Sequence, residues 1–337
     1  MRIMITGAAG GIGSTLGYHL SLKNHQLILV DNFNNGYREN LTINGKTFGD
    51  FSESDIRNTD EIFRLLNHYN VDVVVHLAAI SSLPDCEKNS GECMSVNVGG
   101  TASVLDACRK ANVKKCIFAS TGAIYEGIPP EHAPFHEDLA ITTKLWYPTS
   151  KWMAEEICER YRTNYGMNIP VLRFFNVFGP RQDIHRPHPP LINYLVRELK
   201  NNRSPILHGS GNQSRDYVHV DDIVKLIELL LTASNANTTF NVCTGKILSV
   251  RDILLQVQKT MNTDTAVEWR ESNRLWDAYG DLFTGTYPLD KKLIAAETEK
   301  FAWGSFEKAK HLLGWQPNTD LLALLDKTVK DILLADV

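Results

Sequence analysis

The chain predicts an α/β fold: a doubly wound parallel sheet with a smaller, discontinuous α/β substrate domain. Three observations carry this. Strand-like and helix-like segments alternate through the first half. The strand candidates are apolar on both faces, as strands covered by helices on both sides must be. A glycine-rich turn, "TGAAGGIG" at 6–13, joins the first strand to the first helix.

Taken in order, "RIMITG" reads as a strand and "GIGSTLGYHLSLKN" as a helix. "LILVD" is a second strand ending at Asp31. "DEIFRLLNHYN" has helical spacing, and "VDVVVHLAA" reads as a strand apolar on both faces. "VNVGGTASVLDACRKAN" reads as a helix and "KKCIFAST" as a strand. In "WYPTSKWMAEEICERYRTNYG", Met153, Ile157 and Tyr161 recur at helical spacing. "IPVLRFFNVFG" closes this run of the pattern, and "TFNVCTG" at 238–245 is a further strand after a long excursion. The turn-rich "GPRQDIHRPHPP", 179–190, is the expected point of departure from the sheet. The expected division is residues 1–178 plus about 215–245 for a dinucleotide-binding domain, and about 179–214 plus 246–337 for a substrate domain.

Composition narrows the function. At 337 residues the chain is long enough for two domains. Its net charge of −4 gives no basic surplus for nucleic acid. The six cysteines form no C-x-x-C and lie mostly in apolar runs, as buried free thiols do. This suggests a reducing, cytoplasmic setting. The opening "MRIMITG" enters a strand at once, which leaves no room for a signal peptide, and no apolar run reaches membrane-spanning length.

Gly7, Gly10 and Gly13 follow G-x-x-G-x-x-G, a variant of the commoner G-x-G-x-x-G. Such glycines let backbone approach a pyrophosphate, and the helix that follows offers free N–H groups and the positive end of its dipole. A bare strand–helix turn would need glycine for flexibility alone. Asp31 at the tip of the second strand favours the dinucleotide. A carboxylate there accepts both ribose hydroxyls and repels a 2′-phosphate, so the expected cofactor is NAD rather than NADP. An aspartate capping a loop is the plainer alternative, and Arg38 nearby weakens the exclusion of NADP.

Tyr147 and Lys151 stand four apart in "WYPTSK", on one helix face. A lysine charge near a phenol lowers its pKa from about 10 and makes it a usable base. The chain holds a second copy of the spacing, Tyr287 and Lys291 in "YPLDK". What separates the copies is context. Thr121 ends a predicted strand just before the Tyr147 helix, where open α/β sheets bind ligands, whereas Tyr287 lies outside the alternating pattern.

The ordered set "TGAAGGIG", "VDNFNNG", "SDIRN", "HLAA", "NVGGT", "STGAIY", "YPTSK", "RFFNVFGPRQ", "RDYVHVDD", "FNVCTG" and "LLGWQP" resembles the extended short-chain dehydrogenases/reductases of the nucleotide-sugar epimerase and dehydratase group. The resemblance implies a Rossmann-type NAD domain and a nucleotide-diphosphate-sugar substrate. It implies Gly11 and Ile12 at the pyrophosphate, and Asp31, Asn32, Phe33, Asn34, Asn35 and Gly36 around the adenosine ribose. Asp55 and Ile56 would flank the adenine. Leu77, Ala78, Ala79 and Asn97 would line the cofactor channel, with Phe175 at the nicotinamide. Thr121, Tyr147 and Lys151 would be catalytic, the last two also touching NAD. Asn176 and Arg215 would hold the substrate diphosphate. A salt bridge to Asp216 is the alternative role for Arg215.

The implied first step removes hydrogen from C4 of the sugar. Dehydratases of the group typically carry Asp-Glu after the catalytic threonine. Here Gly122 and Ala123 follow and cannot move protons, which favours 4-epimerisation, or simple oxidation at C4 by a 4-dehydrogenase, over a dehydratase. Glu126, Glu131 and His132 lie downstream as alternative acids or as loop residues. An NAD(H)-sensing regulator is the alternative of another class. The stretch 271–311, with Trp276, Tyr279, Phe283 and Tyr287, departs from the group's short "R-x-G-D" and is expected to shape the sugar or base pocket. No metal is expected: Asp183, His185 and His188 have ligand chemistry but sit among prolines. A homodimer through helices 95–112 and 147–164 is expected, with Val104, Leu105, Met153 and Ile157 as interface candidates.

Overall fold

Seven parallel strands form the central sheet of the computed structural model, which describes residues 1–43 and 45–335. In spatial order they are Thr239–Val242, Val171–Phe174, Lys115–Thr121, Val73–His76, Arg2–Thr6, Gln26–Asp31 and Asp50–Glu53. The order in which successive strands are added reverses around Arg2–Thr6, which pairs in parallel with Gln26–Asp31 on one side and Val73–His76 on the other. The connections leaving Thr6 and His76 therefore diverge, and a crevice opens at the carboxyl ends of the strands.

Alternation within each strand feeds two cores. Ile3 and Ile5 face helices Gly11–Ser21 and Val220–Thr232, while Met4 faces Thr59–His68, Thr101–Lys110 and Trp146–Tyr165. All six cysteines are buried free thiols. Val104 and Leu105 are fully buried against the sheet, which corrects their expected place in a dimer interface; Met153 stays exposed.

Several elements differ from the expectation in informative ways. The run "IPVLRFFNVFG" is two strands: Val171–Phe174 belongs to the main sheet, and Asn176–Phe178 joins a separate three-stranded sheet with Ser214–His219 and Ile247–Ser249. The helix expected over 96–112 begins with a wider, π-type turn at Ser95–Gly100, where a Cβ on Gly100 would lie 2.5 Å from Ile56 Cδ1. Strand Asp50–Glu53 is a polar edge strand without an apolar signature.

The smaller body packs helices Leu191–Lys200, Val250–Met261 and Leu321–Ala335 on the three-stranded sheet around Leu195, Val196, Ile253, Leu325 and Val329. Its chain is discontinuous. The helix after Ser214–His219 returns to the main sheet, as do Ala309 and Trp315 near the C-terminus. The long insertion builds a small core of its own, in which Trp276, Tyr279 and Ile294 pack on Leu145. No helix among the described residues is long and apolar enough to cross a membrane.

Candidate active site

The crevice holds a cleft of about 360 Å³, and the glycine turn forms its floor. Gly7 has φ +69°, and a Cβ on it would lie 2.7 Å from the Ala78 nitrogen; one on Gly13 would lie 2.2 Å from the Gly7 oxygen. Both positions exclude any side chain. The helix that follows starts at Gly11 with Gly10 as its N-cap, no capping side chain and no acidic residue in its first turn. Its first N–H groups thus face the cleft without an internal acceptor, which suits an anion. The turn is held from outside by Asn40, whose side-chain amide donates to the Ala9 oxygen at 2.9 Å.

Asp31 lines the same cleft, together with Ile12, Asn32, Asn34, Asn35, Gly36, Asp55 and Ile56. Its carboxylate accepts from the Ala9 N–H at 2.9 Å and the Phe33 N–H at 2.8 Å. Burial pushes its pKa up, and these backbone donors pull it down. The expected ribose residue Phe33 lies instead beside the cleft wall. Its backbone is left-handed, its ring packs on Phe51, and the Arg38 guanidinium covers both rings. Arg38 also reaches Glu53 at 2.9 Å, so its charge is already engaged.

Leu77, Ala78 and Ala79 form the far wall. Asn97 is buried behind it. Its amide accepts from the Ile80 N–H at 2.8 Å and donates to the Ile80 oxygen and the Ser150 hydroxyl, both at 2.9 Å, which fixes the wall to the tyrosine helix. His76 ties the strand ends together through Thr6 and Thr101, and burial holds its pKa down to about 3, so the ring is neutral.

Tyr147 and Lys151 line the cleft. Two carboxylates set the start of their helix: Glu126 accepts from the Lys144 and Leu145 N–H groups, and Glu87 accepts from the Trp146 N–H at 2.6 Å. Glu126 is therefore a fastening residue. Below them, Glu155 pairs with Arg173 at 2.8 Å in the buried interior and accepts from Ser120. Burial raises the Tyr147 pKa to about 12, while a hydrogen bond with Thr121 and the charge of Arg186 pull the other way. Lys151 donates to the Ala119 oxygen at 2.6 Å and lies 4.7 Å from the Phe118 ring centroid. Its burial lowers its pKa to about 8. The second copy of the spacing is elsewhere: Tyr287 is 96% exposed, and Lys291 pairs with Asp277.

The expected substrate residues Thr121, Asn176 and Arg215, and Phe175, expected at the nicotinamide, all sit outside this cleft lining. Phe174 lines it, whereas the Phe175 ring packs over Gly122, where a Cβ would lie 2.9 Å from it. Asn176 opens the second sheet. Arg215 donates to the backbone oxygens of Glu297, Thr298 and Lys300, at the end of helix Lys291–Glu299. It makes no pair with Asp216, whose carboxylate accepts instead from Thr244 and Gly245.

Sequence reasoning did not assign Gln182, Asp183, Arg186 and Pro190, which also line the cleft. The turn-rich composition of 179–190 marked the segment but not its position over the glycine turn, where a Cβ on Gly11 would lie 2.9 Å from the Arg181 oxygen. Asp183 is a turn former: it accepts from the Tyr37 hydroxyl and from the His185 and Arg186 N–H groups.

The chain is similar in sequence and in fold to known proteins. The sequence profile of the NAD dependent epimerase/dehydratase family matches residues 3–243. A UDP-glucose 4-epimerase from Mycolicibacterium smegmatis is 30% identical over 98% of each chain. A dTDP-D-glucose 4,6-dehydratase from Dictyostelium discoideum is 27% identical over 76% of this chain and 61% of its own. The crystal structure of UDP-glucose 4-epimerase from Thermotoga maritima with UDP-glucose superposes with a TM-score of 0.87, covering 100% of both chains at 27% identity. The chain therefore belongs to the NAD-dependent epimerase/dehydratase family: it is an enzyme, and NAD is its cofactor.

Proposed function

We propose that the enzyme is a nucleotide-sugar 4-epimerase, acting on a UDP-hexose through a transient 4-keto sugar. The main-sheet body would hold NAD, with Gly11, Ile12 and Gly13 at the pyrophosphate and Asp31 at the adenosine ribose. The smaller body would hold the nucleotide of the substrate, with Asn176 and Arg215 at the diphosphate. Arg215 would have to leave the helix end at Lys300 to do so. NAD, when bound, supplies a hydride acceptor at C4 and returns the hydride afterwards.

The protein's own part is proton handling. Tyr147 takes the proton from the sugar O4, and Thr121 positions that oxygen by a hydrogen bond. Lys151 contributes a positive charge that favours the phenolate. The same proton returns from Tyr147 after the keto sugar has turned over.

One observation favours epimerisation over dehydration. Positions 122 and 123 are Gly and Ala, and the Phe175 ring fills the space a side chain at 122 would need. An acid or base for C5 and C6 has no place there. The test is to incubate the purified protein with UDP-glucose, UDP-galactose and their N-acetylated and dTDP-linked counterparts, and follow the products by NMR. Interconversion at C4 without loss of water is expected. A 4-keto-6-deoxy product would overturn the assignment.

A further inference from the structure

The loop carrying Asp183 to Pro190 places one guanidinium in the cleft without a partner. The Arg186 Nε is buried and has no hydrogen-bond partner, and no carboxylate among the described residues lies within ion-pair distance of the side chain. Arg186 lines the same cleft as Tyr147 and the glycine turn. Tyr37, Asp85, Tyr147, Asp183, His188 and Tyr279 are ionisable groups close enough to interact with its charge. Asp183 already accepts from Tyr37, His185 and Arg186 backbone or hydroxyl donors. The Tyr279 hydroxyl, contributed by the insertion, is a second buried polar atom, and Asp85 and Ser82 are its polar neighbours. His188 beside them is held neutral by burial, its pKa lowered to about 4.

A buried donor without an acceptor is costly, and a guanidinium has donors only. Water alone can satisfy it in the open cleft, but the five-donor planar fork matches an oxyanion best. Arg215, the other arginine expected at the substrate, spends its donors on backbone oxygens.

We infer that Arg186 is the anion-recognition residue of the substrate half of the cleft, taking anionic oxygens of the sugar nucleotide. This rests on the reading of the protein as a nucleotide-sugar epimerase. Two groups supply that chemistry: the diphosphate common to every sugar nucleotide, and a carboxylate on C5 of a hexuronosyl unit.

The experiment is calorimetric binding of UDP, UDP-glucose and UDP-glucuronate to the NAD-loaded protein, wild type against Arg186→Gln and Arg186→Lys. Arg186→Gln should weaken binding roughly 10- to 100-fold, the worth of a hydrogen bond to a charged group. An equal loss for all three ligands identifies the diphosphate as the anion. A loss confined to UDP-glucuronate identifies the carboxylate. Arg186→Lys, which keeps the charge but not the fork, should fall between. Bound NAD and the melting temperature of the variants should match wild type, since the side chain has no partner inside the protein to lose. Unchanged affinity for all three ligands, or loss of NAD in place of substrate, overturns the inference while leaving the epimerase reading intact. Failure of the wild type to bind any UDP ligand overturns both.

Discussion

The Lys151 ammonium donates to the carbonyl oxygen of Ala119 at 2.6 Å, not to the phenol of Tyr147 one turn before it on the same helix. Helical spacing puts both side chains over the carboxyl end of strand Lys115–Thr121, but the lysine turns back onto the strand. It is 3% exposed, against the Phe118 ring. A buried ammonium with no carboxylate partner is expensive to hold.

Lys151 should therefore cost stability while serving the site. Burial takes its pKa from the ordinary 10.5 to about 8. Between those values the unfolded chain binds more protons than the folded one, so this group's contribution improves as pH rises through that window, and below about pH 8 the full cost is present. Lys151→Met should melt higher than wild type at pH 7, by on the order of 1–2 kcal/mol after loss of the Ala119 hydrogen bond. The gain should shrink by pH 10. Calorimetric melts at the two pH values check this, and a variant that melts lower at pH 7 contradicts it.

Cofactor choice is expected to follow Asp31. Its two oxygens accept from Ala9 and Phe33 and keep lone pairs toward the cleft, and Arg38 is occupied by Glu53. NAD released from purified protein should exceed NADP in direct assay of both. Asp31→Asn keeps the volume but loses the charge and one acceptor. It should weaken NAD retention about tenfold and raise the relative affinity for NADP.

Much of this was legible in the sequence, for physical reasons. Strands such as Val73–His76 are buried on both faces, so apolar residues fill both, and the run of three valines announces it. The glycines at 7 and 13 are dictated by contacts under 3 Å, so their spacing carries over directly into the turn. Asp50–Glu53 was not legible, because an edge strand need not be apolar. The break at Phe175 was hidden because both halves of "VLRFFNVF" are strand-like, and only tertiary packing decides which sheet each joins. Asn97 illustrates a subtler limit. It was expected to line the cleft, but it is buried behind the wall with its amide consumed by Ile80 and Ser150, and no spacing rule reveals where a side chain spends its hydrogen bonds. Arg186 escaped for the converse reason: in a turn-rich stretch every polar residue looks solvated.

The tyrosine helix also bears on assembly. Trp146, Met153 and Tyr165 are exposed apolar residues along it, whereas Val104 and Leu105 on the neighbouring helix are interior. A homodimer built on this helix would cover the first three. Light scattering at micromolar concentration should give twice the monomer mass, and Met153→Asp should shift the equilibrium toward monomer. A monomer in the wild type would refute the expected dimer.

The sharpest expectation concerns the two Y-x-x-x-K copies. Tyr147 lies in the cleft, and burial holds its pKa near 12 against the downward pull of the Thr121 hydroxyl. A phenol that far above neutral is a poor base until positive charge arrives, from Lys151, Arg186 or a bound oxidised nicotinamide. Tyr147→Phe leaves the ring and removes only the proton acceptor. Turnover should fall by about 10²–10⁴, the usual worth of a general base, with NAD still bound and substrate affinity little changed. Tyr287 is 96% exposed, so Tyr287→Phe should be indistinguishable from wild type. Single-turnover formation of NADH at 340 nm with an accepted sugar nucleotide reads the first half-reaction directly. A wild-type rate in Tyr147→Phe would mean that another group, such as Thr121 through water, removes the O4 proton, and the tyrosine would then be reduced to a wall of the cleft.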